Sequence, residues 1–357
     1  MSAPLILDAD AVSAACGPAD AVAAVTAALA GGLDPAADPP RHAVPLAAGQ
    51  FLLMPSEASA AYAGIKVATV APGNPGRGLP RVQASYLLFD AATLALVAVL
   101  DGTALTTLRT PAVSVAAVLP RLRAMPEPLR VAVFGAGPQA HGHVATLASV
   151  AALASVTHLV RTTGGVRIGS PQADDALRAA DVVVCATSAR TPLFDAGVIR
   201  DAAVVIAVGS HEPDAREVPS ALCARATVVV EDVGTALREA GDVCLAIAEG
   251  ALHRDDLVTM RDVVTGAVRP GPAAAGQVPG PAAGVQAPGL AAAGQVLGPA
   301  AGVQASRPAA GVQAPGLAAA GQVLGMDRPL LFKSVGMAWQ DLVIAEAVMR
   351  GWRRALQ

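Results

Sequence analysis

Aromatic side chains are scarce: Phe, Trp and Tyr make up 3 % of the 357 residues. The hydrophobic fraction of 54 % must therefore come mostly from Ala and Val, which predicts a core of small aliphatic side chains on closely packed elements. Cysteine is almost missing as well. Cys16, Cys185, Cys223 and Cys244 show no CxxC spacing. They read as buried thiols in a reducing compartment rather than a disulfide frame or a zinc site. No block of five or six like charges occurs and the net charge is −3, so nothing points to nucleic acid or a membrane surface as partner. No apolar run of about 18 residues free of charge and proline suggests a membrane span. Met1-Ser2-Ala3-Pro4 has no basic region and is followed by Asp8 and Asp10, which does not read as a signal peptide. The expectation is a cytoplasmic protein of two domains, at about 100–200 residues per domain.

The most irregular segment is Gly266–Gly325. Pro281–Gly298 recurs residue for residue at Pro308–Gly325, and PAAGVQA returns again at Pro299–Ala305. Each unit is Ala, Gly, Pro, Gln and Val, too poor in large apolar residues to offset its chain entropy. It reads as a duplicated, disordered insertion rather than a solenoid. Upstream, from Leu129, strands and helices alternate. Leu129–Phe134, Thr157–Val160, Asp181–Ala186, Ala203–Val208 and Thr227–Glu231 are short Val-rich runs, and His141–Ala151 reads as a helix. Continuous apolar strands separated by helices predict βαβ units and a parallel sheet buried on both faces. The first 128 residues differ. Asp20–Ala30 looks helical, and Gln50–Met54, Tyr62–Val70, Val82–Asp90 and Leu94–Asp101 are separated by short turns, which suggests antiparallel pairing in an α+β domain. A last helix spans about Met337–Arg354, with Trp339, Leu342, Val343, Val348 and Met349 near a 3.6-residue period.

The segment Gly135-Ala136-Gly137-Pro138-Gln139-Ala140 ends one such strand and opens a helix. A GxGxxA turn in that context is a dinucleotide-binding fingerprint. Gly135 allows the tight turn, Gly137 lets backbone approach a pyrophosphate, and Ala140 lets helix and strand pack closely. The helix N-terminus then offers free N–H groups and partial positive charge to the phosphates. At the end of the second strand stands Leu159-Val160-Arg161-Thr162, with no carboxylate for a ribose 2′-hydroxyl. Arg161, helped by the Thr162 hydroxyl, suits a 2′-phosphate, so NADPH is expected, with NADH possible. After it, Gly164–Gln172 supplies no clear second helix.

Several motifs now combine: Arg109-Thr110 in DGTALTTLRTPAVS (Asp101–Ser114), Lys66 in GIKVATVAPGNPGRG, the GAGPQA turn, VGSHEPDAREV (Val208–Val218) and FKSVGMAWQDL (Phe332–Leu342). In this order and spacing the chain resembles the ornithine cyclodeaminase/μ-crystallin family over nearly its whole length except Gly266–Gly325. The resemblance implies an α/β fold with a Rossmann NAD(P)-binding domain (121–265 and 326–336) and an α+β substrate-binding and dimerisation domain (1–120 and 337–357), assembled as a homodimer. It implies NAD(P)-dependent oxidoreductase chemistry on C=N or CH–NH bonds of small imino or amino acids. Residues matching Arg41, Lys66 and Arg109 would hold the substrate carboxylate, and Val335 would lie near the substrate. Beside the turn glycines, Arg109, Thr110, Pro138 and Gln139 would line the cofactor, as would Arg161, Thr162, Thr187, Val208 and Ser334. No metal is implied.

One position separates the family's activities. Cyclodeaminases carry a catalytic Asp where this chain has His211, and a Lys where it has Ala215. The form Pro213-Asp214-Ala215-Arg216-Glu217 resembles members that reduce cyclic ketimines to L-proline or L-pipecolate. Catalysis is assigned to Lys66 and His211, the latter because an imidazole titrating near neutrality can manage the ring-nitrogen proton. The alternatives are an amino-acid dehydrogenase, an ornithine cyclodeaminase, and a non-catalytic protein that binds NADPH and a small ligand.

Overall fold

A computed structural model describes residues 3–267 and 325–357; the repeats within 266–325 lie outside the described residues except at their two ends. Two sheets organise the rest. The first contains β1 (Leu5–Leu7), β2 (His42–Leu46), β3 (Gly49–Ser56), β4 (Tyr62–Val70), β5 (Val82–Asp90) and β6 (Leu96–Asp101), in spatial order β1-β6-β5-β4-β3-β2. Pairing is antiparallel from β2 to β6, as expected, and β1 joins β6 in parallel. Strands β1 and β2 had no counterpart in the sequence reading.

The second sheet contains β7 (Leu129–Phe134), β8 (Leu153–Val160), β9 (Val166–Arg167), β10 (Val182–Cys185), β11 (Val204–Ala207), β12 (Thr227–Val230), β13 (Val258–Thr259) and β14 (Leu330–Lys333). Its order is β13-β12-β14-β11-β10-β7-β8-β9 and every pairing is parallel. The valine runs are explained by two-sided burial. Val131, Val133, Val182, Val184, Val204 and Ile206 face one core; the residues between them, such as Ala132, Phe134, Val183 and Val205, face the other. Strand β14 arrives from beyond residue 325 and inserts between β11 and β12.

Among the described residues the helices are α1 (Ala9–Ala15), α2 (Pro18–Ala30), α3 (Gly102–Ala124), α4 (Pro138–Ala148), α5 (Pro171–Ala179), α6 (Ser220–Arg225), α7 (Val233–Glu239), α8 (Gly241–Ala248), α9 (Met260–Thr265) and α10 (Ala338–Ala355). Helix α3 runs about 35 Å at 1.5 Å per residue and packs against both sheets. It starts where the Asp101 carboxylate accepts the Thr103 and Ala104 N–H groups at 2.9 and 2.8 Å. Its crossing with α4 is close because Gly142 has no side chain: a methyl there would meet Pro111 Cγ at 3.0 Å. Helix α10 lies over β3 and β4 and against α1 and α2, with Gly351 pressed on the Ala15 carbonyl.

The stretch after β8 holds no helix up to Ser170, as expected. A helix does follow β8, but late: α5 begins at Pro171, capped by the Ser170 hydroxyl, and lies after the two-residue β9. Between β8 and β9 only residues 161–165 intervene, where a parallel pair ordinarily needs a crossover of a dozen or more residues. Gly164, at φ +99°, makes the return possible.

The helices α1, α2, α3 and α10 cover one face of the six-stranded sheet. The opposite face presents half-buried Leu53, Ile65, Val67, Leu87 and Val99. No single helix among the described residues is long and apolar enough to cross a membrane.

Candidate active site at the carboxyl edge of the parallel sheet

The GxGxxA turn leaves β7 at the carboxyl edge of the parallel sheet. Gly135 adopts φ +106°, and a methyl on it would sit 2.8 Å from the Ala186 carbonyl oxygen. Gly137 is the N-cap of α4. A methyl on Gly137 meets nothing within 4 Å, so the α4 N-terminus is open to a phosphate. Pro138 takes the first helical position, where no N–H is needed, and Ala140 is fully buried. One turn on, His143 is clamped between the Gln139 carbonyl (2.7 Å) and the Ser114 hydroxyl (2.9 Å). Burial lowers its pKa to about 4, so it is a neutral bolt between α4 and α3. The Gln139 amide donates weakly to the Thr106 carbonyl at 3.4 Å. Thr110 is buried, with its hydroxyl on the Thr106 carbonyl at 3.0 Å.

Buried carboxylates tie down the neighbouring loops. Glu217 accepts the Thr187 N–H (2.8 Å), the Thr187 hydroxyl (2.7 Å) and the Gly209 N–H (2.7 Å). It thereby joins the loops after β10 and β11 and fixes the backbone around Val208. Burial raises the Glu217 pKa. Asp242 accepts the N–H groups of Glu217 and Val218 and pairs with Lys333 at 2.8 Å. Lys333 also donates to the Ser210 carbonyl at 2.7 Å. Glu231, just past β12, accepts from Ser334 Oγ and the N–H groups of Val335 and Gly336. Sequence reading missed all four of these residues, because a charged residue inside or beside an apolar strand carries no local sign of its partner.

The chain contains only two lysines, Lys66 and Lys333, and both are buried, at 3 % and 1 % exposure. Lys66 lies on the helix-covered face of β4. Its ammonium donates to Asp341 Oδ2 on α10 at 2.8 Å and to Thr106 Oγ1 on α3 at 3.5 Å. Burial pushes its pKa down to about 8, against the pull of Asp341 and helped by the Arg109 and Arg41 charges. Arg109, on α3, places Nε 3.6 Å from Asp341 Oδ1 and donates from Nη1 to Gln340 Oε1 at 2.9 Å. Arg41 comes from the segment before β2. It donates to the carbonyls of Val335 (2.8 Å) and Gly336 (2.9 Å) and pairs with Glu239 at 2.6 Å. Arg41 and Arg109 thus meet the loop that leaves β14, and Lys66 shares Asp341 with Arg109. Guanidinium and ammonium groups so placed can bind a small carboxylate.

His211 follows β11 and is exposed by accessible surface. The protein atoms around it and then the Arg41 guanidinium lower its pKa, which Glu212 opposes. The loop behind it is braced on the outside by Arg190, which pairs with Glu212 and with Asp214. Arg161 and Thr162 are not part of the cation cluster. They are exposed beyond β8, four strands from β14 in the sheet, a separation of about 19 Å at one strand per 4.8 Å. An extended ligand laid across the edge would reach both.

Fold and site together define a dinucleotide-binding α/β protein with a cluster of cationic side chains near the glycine-rich turn. The chain belongs to the ornithine cyclodeaminase/mu-crystallin family, whose model matches residues 4–278. Among its relatives, the ketimine reductase mu-crystallin of Mus musculus is 32 % identical over 243 residues, covering 64 % of this chain and 75 % of the relative. Delta(1)-pyrroline-2-carboxylate reductase 2 of Burkholderia ambifaria is 32 % identical over 248 residues, covering 66 % and 77 %. The structure of Thermococcus litoralis Delta(1)-pyrroline-2-carboxylate reductase in complex with NADH and L-proline superposes with a TM-score of 0.72 at 22 % identity, covering 98 % of both chains. An archaeal alanine dehydrogenase dimer with bound NAD superposes with a TM-score of 0.71 at 22 % identity, over 99 % of this chain and 97 % of that one. These two structural likenesses speak for the fold.

Proposed function

We propose that this chain is an NADPH-dependent reductase of cyclic ketimines, converting Δ1-pyrroline-2-carboxylate or Δ1-piperideine-2-carboxylate to L-proline or L-pipecolate. The observation that carries the reading is the convergence of Arg109 and Arg41 on the Val335–Gly336 segment at the edge of a dinucleotide-type sheet, with Lys66 sharing Asp341 with Arg109. The relatives named as ketimine and pyrroline-carboxylate reductases support it. Gly135, Gly137, Pro138 and Gln139 would hold the pyrophosphate at the α4 N-terminus. Thr110, Thr187, Val208 and Ser334 would flank the nicotinamide half, and Arg161 with Thr162 the 2′-phosphate. When bound, the reduced dinucleotide supplies a hydride to the C=N carbon.

The rest is the work of the chain's own groups. Arg109 and Arg41 fix the substrate carboxylate, which orients the adjacent C=N bond. Lys66 is protonated at neutral pH and, at about 8, holds a proton loosely enough to release it to the ring nitrogen. Asp341 keeps that ammonium aimed. His211 is the second candidate donor. Its lowered pKa leaves it mostly neutral at pH 7, which favours Lys66. Val335 would contact the ring.

We assign 1–120 with 337–357 to the substrate and dimerisation domain and 121–265 with 326–336 to the Rossmann domain. The uncovered apolar face of the six-stranded sheet supports a homodimer, and unpaired cysteines suit the cytoplasm. The test is a panel of both ketimines, pyruvate with ammonia, and ornithine, each with NADPH and NADH, read as nicotinamide absorbance and as released ammonia. Consumption of NADPH with the ketimines is the expected result. Ammonia from ornithine would make the protein a cyclodeaminase. Tight NADPH binding without any turnover would make it a binding protein.

A further inference from the structure

Glu231 and Gln340 have no role in the chemistry above, yet they are the most completely engaged polar pair near it. Glu231 is 2 % exposed and Gln340 is fully buried. Glu231 Oε1 accepts from Ser334 Oγ at 2.8 Å and Gly336 N at 3.2 Å; Oε2 accepts from Val335 N at 2.8 Å and Gly336 N at 3.1 Å. The Gln340 side-chain NH2 also donates to Glu231 Oε1. That bond fixes the amide's orientation, because its oxygen must then turn the other way. There it accepts from Arg109 Nη1 at 2.9 Å. Gly336 adopts φ +81°, and a methyl on it would lie 2.7 Å from the same Nη1, so the guanidinium rests directly on this backbone. Arg41 holds the Val335 and Gly336 carbonyls.

We infer that Glu231 and Gln340 are positioning residues that couple the two ligand sites, so that an occupied cofactor site tightens the grip of Arg109 on the substrate carboxylate. The inference rests on the proposed reading of Ser334 as a cofactor contact and of Arg109 as a carboxylate ligand. The physical path is short and, apart from half-buried Val335, buried: loop Ser334–Gly336, Glu231 carboxylate, Gln340 amide, Arg109 guanidinium. Ordering the loop against a nicotinamide fixes the carboxylate, which fixes the amide, which presents the guanidinium in one orientation. Such coupling is reciprocal, so the substrate must also tighten the cofactor by the same factor.

The experiment uses the full chain and pyrrole-2-carboxylate, a planar carboxylate on a five-membered nitrogen ring like that of the substrate but aromatic, with no reducible C=N bond. Its affinity is measured by calorimetry with and without saturating NADPH, for wild type, Gln340→Met, Glu231→Gln and Arg109→Lys. In wild type NADPH should tighten the analogue on the order of tenfold. Gln340→Met should bring that factor close to one while NADPH affinity measured alone stays within twofold. Glu231→Gln should lose the coupling and weaken NADPH as well. A residue that merely stabilised the fold would lower the melting temperature and leave the factor unchanged. Wild-type coupling retained in Gln340→Met, or no coupling in wild type, overturns the inference. If Arg109→Lys leaves analogue affinity unchanged, it is the reading of the carboxylate site that fails. If Glu231→Gln does not fold, Gln340→Met still decides.

Discussion

Lys66 makes stability and activity diverge with pH. Its pKa is about 8 in the folded protein against an ordinary 10.5. Between these values the unfolded chain holds a proton that the folded chain has released, so stability from this group rises with pH across that window. Below pH 8 both states are protonated and the burial cost is fully present; above 10.5 both are neutral and it vanishes. At 1.36 kcal/mol per unit the shift corresponds to about 3 kcal/mol at its upper bound. Other groups oppose it. Cys16 and Cys223 are pushed up to about 11 and about 12 by burial, and Tyr86 well above its ordinary value, so their contributions are lost as pH rises. The Lys66→Met variant removes one term and leaves the rest, so urea denaturation of both proteins from pH 7 to 11 isolates it. The wild-type minus variant difference should climb between pH 8 and 10.5. Over the same window ketimine reduction should fall, as the proton on Lys66 is lost. With two lysines in the chain, selective carbon labelling of lysine yields two side-chain resonances, and the variant assigns them. A flat difference curve, or a Lys66 resonance titrating near 10.5, would refute the reasoning.

Four further outcomes are expected. Gly135→Ala forces a side chain into φ +106° and against the Ala186 carbonyl. It should cost about 1–3 kcal/mol of stability and abolish the fluorescence change on NADPH binding. Arg161→Ala should raise the KM for NADPH by about tenfold or more, the loss of a charge-assisted bond, and leave that for NADH within about twofold; equal effects on both would remove Arg161 from the 2′-phosphate site. Lys333→Met leaves the Asp242 carboxylate buried without its cation and should cost about 3–5 kcal/mol in chemical denaturation. Val67→Asp puts a charge on the uncovered sheet face and should convert a dimer to a monomer in sedimentation, with Lys66 on the other face undisturbed.

Much of the fold was legible before any coordinates. The alternation of Val-rich strands with helices from Leu129 onward marks a parallel sheet, and β4 and β5 were bounded correctly from their turns alone. Helix α3 was not seen: Pro111 and Pro120 sit inside it, and buried residues all round it leave no amphipathic stripe to read. Strand β14 was missed because four residues beyond a long low-complexity segment carry no period. The late α5 was missed because the chain makes β9 from two residues, a connection that only a glycine-assisted return allows.

What the sequence by itself determined is local. The Gly135–Ala140 turn, the apolar runs and the small aliphatic core follow from glycine φ values, side-chain volume and two-sided burial. Those constraints act within a few residues, so a single chain displays them. The tertiary structure decided the electrostatics. Lys66 could as well have been a surface lysine on an alternating strand; it is buried because Asp341, 275 residues away, meets it from α10. Glu231 joins the loop after β14 to Arg109, through Gln340, only because β14 is threaded beside β12 and leads directly into α10. A buried charge is stable only with a partner, and partners are chosen by packing in three dimensions. The scarcity of aromatics said what the core is made of; the threading of β14 and α10 said which charges that core would hold.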